Sequence, residues 1–150
     1  MSNPNDSIEQ QLFKLLRRTN AIHVTTSTGE IELERSSYGI LCLLADEGPQ
    51  RLGSIATAFR LDPSTVTRQV QTVVHLGMAE KATDPADRRA TVLSLTPFGA
   101  ETVKLARDHR RHMLDEILKD WTIAEREGFA TALSRFNTTI DGWEISGPPE

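Results

Sequence analysis

Apolar residues recur along this chain at helical spacing, and the recurrence gives way only once to strand-like runs. Ile8, Leu12, Leu15, Leu16 and Ile22 share one helical face behind an Asp6-x-x-Glu9 capping signal. They predict a first helix from about Ser7 into the region 25–29. A second helix opens near Ser36 or Ser37, carries Ile40, Leu41 and Leu44, and stops at Gly48-Pro49. A short third helix, about Gly53–Phe59, turns Ile55, Ala56 and Phe59 inward. After the tight link Arg60-Leu61, Asp62-Pro63 sets a capping side chain before a proline at the first helical position. The helix that follows runs to about Leu76 and ends on Gly77, a residue suited to a left-handed cap.

Two strand-like runs come next, Met78–Thr83 and Ala90–Leu95, flanking a tip that holds Asp84, Pro85, Asp87, Arg88 and Arg89. Pro85 pre-sets a turn and the aspartates can accept from nearby amides, which predicts a hairpin. Thr96-Pro97 repeats the cap-plus-proline start and opens a long helix to about Lys119. Thr122 with Glu125 caps a last helix bearing Phe129, Leu133, Phe136 and Ile140, and Asp141–Glu150 reads as a frayed tail. Two helices on a tight turn, followed by an arginine-tipped hairpin, form a winged helix-turn-helix pattern. The expected fold is therefore mainly α with a small β-hairpin wing.

The helix Pro63–Leu76 carries the chemistry of a reading element. Val66, Val70 and Val73 make its inward stripe, while Ser64, Thr65, Arg68, Gln71, Thr72 and His75 lie opposite, with Thr67 on the flank. That outward face bears no carboxylate, as a phosphate-facing surface requires. Ser64 and Thr65 sit where helix amides and the dipole favour a phosphate. Arg68 has the fork to pair with guanine and Gln71 the amide to pair with adenine. At the hairpin tip, Arg88 and Arg89 can enter a minor groove, where negative potential is concentrated. Asp84 and Asp87 are placed to brace an arginine there; Asp87 and Arg89, two apart on an extended arm, share a face. The competing reading is a soluble polar helix followed by a hairpin with compensating charges.

Composition alters this picture in two places. The chain of 150 residues has a net charge of −4, which read globally argues against a nucleic-acid partner. By segment it reads differently: residues 51–95 hold 6 Lys and Arg against 4 Asp and Glu, a balance of +2, whereas residues 1–50 and 96–150 each stand at −3. Local field rather than net charge decides whether phosphates are attracted. The single cysteine, Cys42, excludes an intramolecular disulfide framework and, amid Ile40, Leu41, Leu43 and Leu44, reads as a small buried hydrophobe. No apolar run is long enough to span a membrane and no secretory signal is visible, so a cytoplasmic location is expected. No nucleophile–base set, Gly-rich phosphate loop or paired carboxylates suggest an enzyme.

The element order, together with Ser64-Thr-Val-Thr-Arg68, Asp84-x-x-Asp87-x-Arg89 and Leu95-Thr96-x-x-Gly99, resembles the MarR family of winged-helix transcriptional regulators over about residues 7–141. The resemblance implies a winged helix-turn-helix part at 36–95, a helical dimerisation part at 7–28 and 97–141, and a flexible tail at 142–150. It assigns Arg89 to a minor groove with Asp87 as its brace, and sets Ser64, Thr65, Thr67 and Arg68 against the major groove or adjacent phosphates. It also implies a homodimer on a pseudo-palindromic double-stranded DNA operator, with half-sites about one helical turn apart. Gly53 departs from the family, which often has a Ser or Thr cap at that point.

Relatives of this kind commonly bind small aromatic or phenolic acids, and His23 and Tyr38 are the side chains expected to offer polar groups to such an effector. No cofactor and no metal is expected. His109 and His112, with Asp115 or Glu116 further along the same helix, leave a metal-responsive regulator as an alternative, although Arg110 and Arg111 intervene. A winged-helix protein-interaction module without DNA binding is the other; the polar face of Ser64–His75 speaks against it.

Overall fold

The computed structural model describes residues 2–19, 24–25, 32–33 and 35–146. They divide into two compact units, one up to His109 and the other from Arg110 onward. Helix α1 covers Pro4–Thr19. It starts earlier than the Asp6–Glu9 signal suggests, because Asn3 caps it: the Asn3 side chain accepts from the Asn5 amide at 3.0 Å, and Pro4 takes the first helical position. The helix also ends earlier than expected. Val24–Thr25 forms strand β1, paired antiparallel with strand β2 at Glu32–Leu33. β-branched residues such as Val24 and Thr25 favour extended backbone over a helix continuation.

Helix α2 (Arg35–Glu47) ends where Gly48 turns to φ +80°. A two-residue strand β3 (Gln50–Arg51) leads into α3 (Leu52–Phe59), and α4 (Pro63–His75) follows the Asp62 cap. Strands β4 (Ala79–Asp84) and β5 (Asp87–Leu95) make the hairpin, and β3 adds to β5 to give the sheet order β3-β5-β4. Two residues carry no periodicity, so β3 was not expected. Its register pairs Gln50 with Leu93 and Arg51 with Val92.

The core of the first unit gathers Ile40, Leu41 and Leu44 from α2, Ile55 from α3, and Val66, Val70 and Val73 from α4. Met78, Ala79 and Leu93 of the hairpin join it, with Val103 and Ala106 from helix α5 (Pro97–Ile117). Gln69 belongs to the same inward stripe of α4; its Oε1 is buried and finds no hydrogen-bond partner among the described residues. Cys42 is half-buried against this core, beside the Arg107 guanidinium, whose Nη2 holds both Asp46 carboxylate oxygens at 2.9 Å.

In the second unit the end of α5 turns into helix α6 (Ile123–Ser146). Thr122 and Glu125 form the expected reciprocal cap, the Glu125 amide donating to Thr122 Oγ1 at 3.1 Å and the Thr122 amide to Glu125 Oε1 at 3.2 Å. Arg126 clamps the corner through Asp115 at 3.1 Å and the Leu118 carbonyl at 2.7 Å. Helix α6 runs past Asp141 as far as Ser146, beyond the tail boundary expected at 142. Gly142 alone does not stop it, and the stronger breakers Gly147-Pro148 come later.

One junction fixes the hairpin to its neighbours. The Thr96 hydroxyl donates to the Gly77 carbonyl at 2.6 Å and accepts from the Gly99 amide at 3.0 Å, while the Thr96 amide donates to the Met78 carbonyl at 3.1 Å. Gly77, at φ +74°, turns the chain out of α4. A Cβ on Gly99 would lie 1.8 Å from the Met78 carbonyl oxygen. The Leu95-Thr96-x-x-Gly99 motif is therefore a packing requirement: the first turn of α5 presses backbone to backbone on the residue that starts the hairpin. Gly99→Ala must displace that backbone and is expected to cost at least about 1–3 kcal/mol, read as a lower melting temperature. Unchanged melting would contradict the contact.

Candidate nucleic-acid interface

Helix α4 presents the face read from its sequence. Ser64, Thr67, Arg68, Gln71, Thr72 and His75 are exposed and Thr65 is half-buried. The hydroxyls, however, are engaged locally. Thr67 donates to the Pro63 carbonyl at 2.8 Å and Thr72 to the Arg68 carbonyl at 3.2 Å. Ser64 Oγ donates to Asp62 Oδ1, and Thr65 gives its amide to Oδ1 at 2.9 Å and its hydroxyl to Oδ2 at 2.8 Å. Asp62 is thus more than a single-bond cap. Ser64 foremost, then the Thr65 amide and hydroxyl, hold its carboxyl far below the ordinary value of 3.8. The carboxylate at the start of α4 interacts favourably with the helix dipole, and Arg68 and Gln71 lie exposed further along the same face.

The wing pairs its aspartates differently from one another. Asp87 Oδ1 accepts from both the Arg89 amide at 3.0 Å and Arg89 Nε at 3.3 Å, the bracing that their spacing suggested. The Arg89 side chain is nevertheless 92% exposed, so its outer guanidinium nitrogens face solvent; Arg88 beside it is also exposed. Asp84 braces neither tip arginine. Its Oδ1 accepts from the Ala86 amide at 2.9 Å and closes the turn, while Oδ2 takes Arg51 Nε at 2.7 Å and Nη2 at 2.6 Å. The Ala86 amide, with Arg51 behind it, holds the Asp84 carboxyl below its ordinary value. Sequence reasoning missed Arg51, since its partner lies thirty-three positions away and only the β3–β5 pairing brings the two together.

Other expected residues stand apart from this face. Tyr38 is buried in the core at 3% exposure, and His23 lies outside the described residues. His109 and His112 are exposed on α5, and among the described residues no three His, Cys, Asp or Glu side chains converge on a metal position. No helix among the described residues is long and apolar enough to cross a membrane.

The Asp62 geometry has a measurable consequence. A carboxyl whose folded pKa is depressed stabilises fully above its ordinary value and loses that contribution as pH falls toward the lowered one. Asp62→Ala should lower the melting temperature at neutral pH, and its gap from the parent protein should narrow only below about pH 4. A gap that stays constant through that range would mean that the charge of Asp62 contributes nothing.

The sequence profile of the MarR family matches residues 33–91, which span α2, the helix-turn-helix and most of the wing. An uncharacterized helix-turn-helix transcriptional regulator of Bacillus subtilis strain 168, YxaD, is 34% identical over 90% of this chain and 94% of its own. The crystal structure of RV1404 from Mycobacterium tuberculosis superposes with a TM-score of 0.73 at 25% identity, covering 100% of this chain and 99% of that one. BpsR of Bordetella bronchiseptica, whose DNA binding is regulated by 6-hydroxynicotinic acid, gives 0.61 at 26% identity over 85% and 98% of the two chains. Fold, wing motif and relatives agree: the chain belongs to the MarR family and is a DNA-binding helix-turn-helix transcriptional regulator, not an enzyme.

Proposed function

We propose that this regulator acts as a homodimeric, sequence-specific repressor, reading a pseudo-palindromic operator and released from it by a small aromatic or phenolic effector. The observation that carries the DNA-reading part is the tip of the wing: Arg89 is anchored through its amide and Nε by Asp87, yet 92% of its side chain is open to solvent. An arginine fixed at its base and exposed at its end loses little rotamer freedom when it enters a minor groove. Arg68 and Gln71, exposed on α4, read base edges in the adjoining major groove, Arg88 adds a phosphate contact beside Arg89, and Ser64, Thr65 and Thr67 pack against the groove wall.

Dimerisation is supported within each unit by apolar side chains that a single chain leaves open. On α1, Ile8, Phe13, Leu15 and Leu16 are each more than half exposed. On α6, Phe129, Leu133, Phe136 and Trp143 are each at least 40% exposed. Such surface at helical spacing is characteristic of an interface. A two-fold dimer then sets two α4 helices and two wings on half-sites about one helical turn apart, and repression follows from occupying promoter DNA. The effector class rests on the likeness to BpsR, a regulator under the control of a hydroxylated aromatic acid.

Selection of bound sites from random duplex DNA supplies the operator for the test. Arg89→Ala should weaken its binding at least about tenfold with unchanged melting temperature and mass. Arg68→Ala should cost about 1–3 kcal/mol and relax base preference at one position of each half-site. Unaltered affinity in the first variant would remove Arg89 from the groove; uniform weakening on all sequences in the second would make Arg68 a phosphate contact. Sedimentation equilibrium should give twice the chain mass, and a panel of hydroxylated aromatic acids should include one that dissociates the complex; a monomer bound to operator would end the two-fold account.

A further inference from the structure

The hairpin outgrows the sheet that supports it. Strand β3 pairs with β5 only at Leu93 and Val92, so from Thr91 to the tip the wing is a two-stranded ribbon of β4 and β5 alone. A bare ribbon of this kind is marginally ordered. Asp84 lies two residues beyond Ala82, the β4 residue level with Val92, or about 7 Å further along the strand. Arg51, the last residue of β3, spans that gap, placing both Nε and Nη2 within 2.7 Å of Asp84 Oδ2. The other oxygen of the same carboxylate holds the turn through the Ala86 amide, one residue before Asp87 begins its hold on Arg89. The chain of contacts therefore runs from the base of α3 through Arg51 and Asp84 to the turn that presents Arg89. The register also breaks between Thr83 and Asp84, so the ladder itself transmits little orientation at that point.

We infer that Arg51 is a positioning residue for DNA binding: its ion pair with Asp84 straps the unsupported end of the wing to the helix-turn-helix and fixes where Arg89 points. The inference rests on the groove-entering role given to Arg89 above, and a cation this close to the wing could instead touch a phosphate directly. The sign of one substitution separates the two. Asp84→Asn keeps Oδ1 to accept from Ala86 and removes only the charge that holds Arg51. If Arg51 is a strap, losing that charge weakens binding even though the protein becomes less negative. If Arg51 is a phosphate contact that Asp84 merely neutralises, the same substitution tightens binding.

The experiment measures operator affinity by fluorescence anisotropy for Arg51→Gln, Asp84→Asn, the double variant and Arg51→Lys, with melting temperature as a check on the fold. Amide hydrogen exchange of the free protein reads the wing without DNA. The expected result is a loss of about three- to tenfold in each single variant, no further loss in the double, and partial rescue by Lys. Faster exchange at Ala86 and Arg89 should accompany it, with the core amides unchanged. In an Arg89→Ala background, Arg51→Gln should add little, because no tip arginine remains to be positioned. Tighter binding by Asp84→Asn, unchanged affinity in Arg51→Gln, or additive losses in the double variant would each overturn the strap. Should Arg89→Ala alone leave affinity intact, the groove role of Arg89 fails, while the exchange data still decide whether Arg51 orders the wing.

Discussion

The Thr96 hydroxyl is the contact on which the DNA-binding half depends. It donates to the carbonyl of Gly77, where α4 has just ended, and accepts from the amide of Gly99 in the first turn of α5. The Thr96 amide closes the same knot on Met78, and the missing Cβ of Gly99 lets the two backbones meet there. Helix α4, the hairpin and α5 are therefore fastened at one place. The angle between α4 and the wing is set by these hydrogen bonds and one glycine, together with the packing of Val70 and Val73 in one core with Met78, Ala79 and Leu93.

On that frame, three aspartates each perform a distinct local task. Asp62 gathers Ser64 and Thr65 and seals the start of α4 with a negative charge. Asp84 joins the wing turn to Arg51, and Asp87 fastens the base of Arg89. The positive balance of residues 51–95 is in this way distributed with direction. Asp62 and Asp84 are engaged in local hydrogen bonds, while Arg68, Arg88 and Arg89 remain exposed on the surface.

What the sequence revealed followed from the range of the interactions. Helices α2 to α6 were legible because capping, proline placement and apolar spacing act within a turn or two of the residue concerned, and the Thr122–Glu125 cap formed as read. The brace between Asp87 and Arg89 was legible for the same reason. Contacts made at long range were not. The two-residue strand β3, the Arg51–Asp84 pair and the Gly99–Met78 contact exist only once the sheet has closed. Gln69 escaped because a polar residue type concealed a buried position. Helix α1 was misjudged at both ends: Asn3-Pro4 outcompeted Asp6 as its start, and the β-branched stretch at Val24 paired as a strand.

The proposed binding depends on exposed, oriented arginines meeting the phosphate-lined grooves of duplex DNA. The most direct measurement is the salt dependence of the dissociation constant for a selected operator duplex. Each phosphate neutralised contributes a slope of about −0.9 in log affinity against log salt, so affinity should fall at least about tenfold between about 50 and 200 mM salt. Affinity that holds constant across that range would contradict binding through phosphate contacts.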